Sequence, residues 1–463
     1  MYTFDPTNLT DLNVQLGELD GTLQLVAIRN IYVASGIRKT LPSVLDKKRK
    51  IMLVMDDTPI YAGKSEIKQE IKTMLNDKNF DVTSLVYHHD NAPDGMVHAD
   101  WKTVERLQGK LDEKTIVVSI GSGTITDIAK HATYRYAQES NVKIPLIVVQ
   151  TANTVTAYTS NIAVLLKDGV KRTYPSRYPD YVISDIDIIK QAPFELTQAG
   201  FGDLMARYVS YADWYLGYKC KNLSKYTEVP KMLLDDMLEY LVHNASGLKK
   251  GNVETYTVLT KALLNAGISM SIVGMSTPIS GFEHVMSHTL DMVRAIQHKK
   301  PLLHGTQVAI ATVFAAYAYE ELLSYKEPFL RSSITFPDRK KIEKTMRDDF
   351  KQQGFSSNAI KEMLNDYRIK HERWVDAERT IHEFIKLWDV EKKKLQSLVK
   401  KGDEIKQALD DIGLDYTIPD DMEFAFTHAH FIRKRFTSAD LFFFLNKLNS
   451  GLYKRVLERV VGE

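Results

Sequence analysis

The chain has 463 residues, too many for one small core, and two domains are the natural expectation at that length. Its hydrophobic fraction of 44% is that of an ordinary globular protein, and a formal charge of +2 implies neither nucleic acid nor an anionic membrane as partner. A single cysteine, Cys220, excludes an internal disulfide framework and suits a reducing cytosol. The first residues show no basic segment leading into an apolar core, and no apolar run reaches the ~18 residues of a membrane span. Together these predict a soluble, cytoplasmic protein.

Four short runs, "KIMLVMDD" (50–57), "TIVVSIGSG" (115–123), "PLIVVQTA" (145–152) and "YVISDIDII" (181–189), are continuously apolar and bounded by Gly, Asp or Pro. Parallel strands covered on both faces have that character. Helical patterns such as "SEIKQEIKTMLND" and "ITDIAKHATYRYAQ" lie between them, and the alternation predicts an open α/β sheet. From about residue 192 clear strands cease, while "YTVLTKALLNAGISMSIVG" and "GTQVAIATVFAAYAYEELL" read as helices. The charged segment 338–412 keeps amphipathic spacing. The predicted organisation is an α/β domain over 1–190 and an all-α domain over 191–463.

In "VVSIGSGTITDIAK", Gly121, Ser122 and Gly123 fall where a strand gives way to a helix. Glycines let the backbone approach a phosphate, and the helix N-terminus offers unpaired N–H groups and partial positive charge. Thr124 and Thr126 add hydroxyls to that turn. The pair Asp56-Asp57 closes an earlier strand, where a carboxylate can accept from an adenosine ribose and repel a 2′-phosphate, favouring NAD over NADP. A third strand end, "VVQTANTVTAYTS", brings hydroxyl and amide groups to the same sheet edge.

In "SGFEHVMSHTLDM", Ser280 and Glu283 make a capping-box pattern that predicts a helix from Gly281. His284 and His288 then share a face, able to chelate one metal or to stand as ordinary helix residues. Val285 after the first His excludes the metalloprotease pattern. Asp203 in "AGFGDLMARY" and His304 in "LLHGTQVA" each sit near a predicted helix start and could join a three-ligand site with an open position.

Taken in order, "GSGTITDIAK", "TANTVTAYTSNIAVLLKDGVKRTYPSRYP", "AGFGDLMARYVSYADW", "SGFEHVMSHTLDM", "LLHGTQVA" and "THAHFIRKRFTSADL" resemble the glycerol-1-phosphate dehydrogenase branch of the iron-containing alcohol dehydrogenase and glycerol dehydrogenase superfamily. The resemblance implies a nucleotide-binding α/β domain, a helical metal- and substrate-binding domain, an active site in the cleft between them, and a homo-oligomer. It implies metal ligands at Asp203, His284 and His304, a pyrophosphate turn at Gly121–Gly123 with Asp127 in the same motif, nicotinamide-side hydroxyls at Thr151 and Thr154, and a ribose acid at Asp56. Iron-dependent relatives carry another His where Arg207 stands, which points to zinc, with nickel or iron as alternatives. The branch's loop usually reads T-A-x-S-x-D-G-Y-T-S, whereas Thr156 and Ala157 replace its Asp and Gly here.

These readings predict reversible hydride transfer between NAD(H) or NADP(H) and a small phosphorylated ketone or aldehyde, such as dihydroxyacetone phosphate. His288 is the expected proton relay. Lys171, Arg172, Arg433 and Arg435 are phosphate candidates by charge, and Thr156 faces the substrate in this reading. A carbon–oxygen lyase like dehydroquinate synthase and a non-catalytic homologue are the competing readings.

Overall fold

The computed structural model describes residues 3–91, 95–167, 170–221, 223–300 and 302–462. The chain divides into two compact units, Met1–Leu204 with Val229–Met275, and Met205–Glu228 with Ser276–Glu463.

The first unit is built on a six-stranded sheet. Its strands are β1 (Asn30–Ala34), β2 (Lys50–Asp56), β3 (Val82–Tyr87), β4 (Thr115–Gly121), β5 (Leu146–Gln150) and β8 (Tyr181–Asp185). A hairpin of β6 (Ile162–Lys167) and β7 (Val170–Pro175) intervenes before β8. The order is β1-β8-β5-β4-β2-β3, with every pairing parallel. The four predicted apolar runs all form strands, and β4 and β5 are buried along their whole length. Within this sheet the two strands not foreseen, β1 and β3, are the edges; exposed Thr83 and Ser84 break the apolar run in β3, and the five residues of β1 bury only Ile31, unlike a central strand.

From β2 the chain moves outward to β3, whereas from β4 it moves the opposite way to β5. The crevice outside the carboxyl ends of β2 and β4 is therefore a topological switch point, where ligands of open α/β sheets bind. Asp56 closes β2 and Gly121 closes β4.

No strand follows β8 among the described residues. The division does not fall at the single boundary predicted near 190. Helix α4 (Val253–Val273) belongs with the sheet, because Thr159 from the loop after β5 donates to the Leu264 carbonyl (2.6 Å), and Gln24 N–H donates to Ile272 O (2.8 Å). This helix is long and apolar enough to cross a membrane, which the sequence reading did not anticipate, yet 89% of its apolar window is buried within the protein. It is a core helix.

The second unit is helical. Its parts used below are α3 (Arg207–Lys219), α5 (Phe282–Ile296), α6 (His304–Ser324) and α8 (Ser438–Phe444), with the long α7 (Ser357–Lys386) between the last two. The charged segment 338–412 folds as four helices that each bury one face, as its spacing predicts. Asp338 and Ser356 cap two of them by accepting from the N–H groups of Lys341 and Ala359. Glu343 sits between Arg347 and Arg368, whose guanidinium groups hold its carboxyl down at about 2.

Candidate active site

The glycine turn lies at the end of β4, where helix α1 (Gly123–Ser140) begins. Both glycines are required by packing: a Cβ on Gly121 would lie 2.8 Å from Ile125, and one on Gly123 would lie 2.4 Å from Val155 Cγ2. Ser122 and Thr124 are half-buried and sit beside the first N–H groups of α1, which have no intrahelical partner. Thr126 is not available in the way the sequence reading supposed, because its hydroxyl donates back to the Ser122 carbonyl (2.9 Å). At the end of β2, the Lys68 ammonium bonds both the Asp56 carboxylate (2.8 Å) and the Asp56 carbonyl (2.7 Å). Asp57 turns to His88 and to the His89 N–H, whose bonds hold its carboxyl below the usual range against the opposing effect of desolvation.

Asp127 is an internal anchor. It accepts from the Val164 N–H (3.1 Å) and pairs with Lys130 (3.0 Å), tying α1 to β6. Burial pushes the Asp127 carboxyl up and the Lys130 ammonium down, and each charge opposes the other's shift. Lys130, fully buried, also donates to the carbonyls of Ala157 and Ile162 and to the Ser160 hydroxyl. Lys130 thereby knots the loop. Lys130→Met strands Asp127 in the interior and removes those bonds, with an expected cost of about 3–5 kcal/mol read as a lower urea midpoint. An unchanged midpoint would show that the pair adds nothing.

The loop from Thr151 to Asn161 is held from several sides. Thr151 N–H donates to Gly121 O (3.2 Å), and Thr154 and Tyr158 share a hydroxyl bond while Tyr158 donates to Ala152 O. Asn153 bonds Gln150 and Thr260. Close approaches fix its height: a Cβ on Gly200 would lie 2.3 Å from Asn153 O, and one on Gly267 would lie 2.6 Å from Thr156 O. Thr156 itself is buried at the start of the short turn Ala157–Thr159, and Lys171 on β7 lies within electrostatic range of Asp127.

Asp203 is buried in the last turn of α2 (Phe194–Met205), not at a helix start as the glycines suggested. Gly200 serves close packing instead. Arg207, which stands where iron-dependent relatives carry His, stacks its guanidinium on the rings of Tyr208 (4.4 Å) and Tyr211 (5.7 Å).

In the second unit, α5 starts one residue later than the capping-box pattern indicates, and Ser280 does not cap it. Asp213 from α3 takes that task, accepting from the Phe282 N–H (2.7 Å), from Ser438 N–H (2.7 Å) and from the Tyr319 hydroxyl. A Cβ on Gly281 would lie 2.5 Å from Asp213 Oδ2. Glu283 accepts from the Gly281 N–H (2.6 Å) and places Oε1 2.9 Å from His284 Nδ1. Burial and the neighbouring Glu283 push the Asp213 carboxyl up to about 7. Arg435, expected to be a phosphate candidate, is instead tied to the Ser280 carbonyl and to Ser276 Oγ (3.0 Å).

Three imidazoles gather at this end of α5. The His284 and His304 ring centroids are 5.3 Å apart, and His288 stacks on His304 at 5.5 Å. His304 is the first residue of α6, with Nδ1 3.4 Å from Ser287 Oγ. His288, His304 and Asp291 offer ligand atoms that all lie within 4.8 Å of one another. Asp291 was not foreseen; its spacing of three from His288 was the available signal, and Gln307 donates to it (2.6 Å). The other histidines stay apart: His428 bonds Asp349, and His430 is buried against Phe431 and Phe443.

The model of the family described as iron-containing alcohol dehydrogenase matches residues 32–193. A glycerol-1-phosphate dehydrogenase [NAD(P)+] of Geobacillus thermodenitrificans is 30% identical over 300 residues, 64% of this chain and 71% of that one. One of the same description from Pyrococcus furiosus is 31% identical over 255 residues, covering 54% of this chain and 67% of the relative. Among solved structures, an archaeal halo-thermophilic alcohol dehydrogenase from a Red Sea brine pool superposes with a TM-score of 0.57 at 14% identity, over 91% of this chain and 98% of that one. Glycerol dehydrogenase from Schizosaccharomyces pombe gives 0.53 at 15% identity over 94% and 92%. At such identities these two structures bear on the fold alone, an α/β sheet followed by helices. The strands, the glycine turn and the sequence matches agree, and the chain is an enzyme of the iron-containing alcohol dehydrogenase family, on its glycerol-1-phosphate dehydrogenase branch.

Proposed function

We propose that the protein is a metal-dependent NAD(P)H oxidoreductase that interconverts a small phosphorylated ketone and its alcohol, with dihydroxyacetone phosphate and sn-glycerol-1-phosphate as the leading pair. The observation that carries the reading is the His284–His304 pair, with His284 Nδ1 against Glu283, which puts the lone pair of the neutral ring on Nε2, the atom that would ligate a cation. The ligands that the family resemblance implies, Asp203, His284 and His304, are a carboxylate and two imidazoles, a donor set that suits zinc with one position open, with nickel and iron as competitors. When bound, the cation would polarise the substrate carbonyl and the nicotinamide would supply hydride. His288, one turn beyond His284, delivers the proton to the alcohol oxygen.

The cofactor reading rests on the switch-point crevice. The α1 N-terminus with Ser122 and Thr124 takes the pyrophosphate, and Thr151 and Thr154 border the nicotinamide side. Lys68 neutralises Asp56, so the repulsion of a 2′-phosphate expected from sequence is weakened and both NADH and NADPH are accepted. Lys171 is the phosphate partner for the substrate. A homo-oligomer in a reducing cytoplasm completes the reading, consistent with the buried thiol of Cys220.

Thr156 leaves the substrate pocket without the carboxylate of the branch's usual loop. Thr156→Asp is expected to raise kcat/KM for dihydroxyacetone phosphate about tenfold, the scale of one charged hydrogen bond to a hydroxyl. Steady-state NADH oxidation measures this. An unchanged or lower value would show that the threonine already serves this substrate.

A further inference from the structure

We infer that Glu283 is the positioning residue of the metal centre: its carboxylate fixes His284 as the Nδ1–H tautomer and so aims Nε2 at the cation. The inference rests on the metal reading above and deepens it.

Glu283 is fully buried, which is costly for a carboxylate unless specific bonds repay it. Oε1 is engaged twice, by the Gly281 N–H (2.6 Å) and by His284 Nδ1 (2.9 Å). A carboxylate accepts only, so the imidazole donates from Nδ1, and the neutral ring then carries its lone pair on Nε2. The carboxylate is itself held. The Gly281 N–H belongs to the residue that opens α5, and Arg435, in electrostatic range of both Glu283 and Asp213, clamps the preceding segment through Ser280 O and Ser276 Oγ. Asp213 fixes the Phe282 N–H and joins α3, α5, α6 and α8 through Tyr319 and Ser438. The Glu283 side chain therefore cannot turn away without breaking the start of α5. Gly281 is compatible with nothing larger, since a Cβ there would also lie 2.9 Å from Glu283 Oε2. The arrangement is a carboxylate–histidine relay, which in metal sites sets the tautomer, the ring orientation and the basicity of the ligand.

The test uses Zn²⁺ titrated into metal-free full-length protein by competition with a chromophoric chelator, with Co²⁺ spectra as a second readout. Glu283→Gln preserves volume but loses the charge and the obligate acceptor. It is expected to weaken Zn²⁺ affinity about 10–100-fold and to shift the Co²⁺ d–d bands, while unfolding temperature by circular dichroism confirms a folded variant. Equal affinity and identical bands in a folded variant would overturn the inference. Long-range ¹H–¹⁵N NMR on histidine-labelled, metal-free wild type, with the His284 signal assigned by a His284→Gln variant, gives a test independent of whether Glu283→Gln folds. The expected state is Nδ1–H with Nε2 unprotonated; an Nε2–H tautomer would overturn it. Wild type that takes up no Zn²⁺ would instead sink the metal reading itself, whatever the tautomer.

Discussion

His284→Ala is expected to leave a folded protein that holds no divalent cation after dialysis and reduces ketone at least ~10³-fold more slowly than wild type, the scale of losing several kcal/mol of charge stabilisation at the carbonyl. The ring sits in the first turn of α5 with Nδ1 on Glu283, and the helix start itself is capped by Asp213, so truncation removes a ligand without breaking that start. His288→Ala should behave differently, keeping the cation and slowing turnover by about 10²–10⁴-fold, as for a lost proton donor. Metal content by mass spectrometry, together with NADH oxidation, separates the two. A His284→Ala protein that retained stoichiometric metal would move the cation's seat to His288, Asp291 and His304, which still bring three donors together.

The second large effect concerns a residue with no chemistry of its own. Gly267→Ala puts a methyl group 2.3 Å from Thr159 Oγ1, 2.6 Å from Thr156 O and 3.1 Å from Ser160 N. Two of these are backbone atoms of the loop that carries Thr151, Thr154 and Thr156, and they cannot swing aside as a flexible side chain can. The loop must shift. Overpacking of this kind costs about 1–3 kcal/mol, and a misplacement near 1 Å at a binding loop costs about 10² in kcat/KM. Gly17→Ala in the helix Leu9–Leu19 is the matched control, since a Cβ there meets nothing within 4 Å. It should be neutral or stabilising by up to about 1 kcal/mol. Thermal unfolding and the KM for NADH measure both variants, and a Gly267→Ala enzyme with wild-type KM and melting would refute the close-approach argument.

Much of the first unit was legible because its central strands are buried on both faces, and a run such as Ile116–Ile120 has no other natural reading. The edge strands β1 and β3 were missed because partial exposure dilutes that signal. The histidines on α5 and α6 were legible through spacing and motif. What holds them was not: Asp213 lies 69 residues from the Phe282 N–H it caps, and no local pattern announces such a partner. Charge misled in both directions. Arg435 looks like a phosphate-facing cation, but it is consumed by an internal carbonyl and hydroxyl. Asp56 looked like a bare ribose acid, and its pairing with Lys68 twelve residues on becomes visible only once the two elements are folded together. The helix Val253–Val273 shows the same limit, since its place beside the sheet depends on tertiary contacts and not on its period.

The most direct measurement is NADH and NADPH consumption with dihydroxyacetone phosphate and with unphosphorylated dihydroxyacetone, using metal-free protein and the same protein reconstituted with Zn²⁺. The account predicts stoichiometric oxidation of either cofactor by the reconstituted enzyme, a clear preference for the phosphorylated ketone, and no turnover without metal. Equal turnover without metal, or no net cofactor consumption with any carbonyl compound, would contradict it.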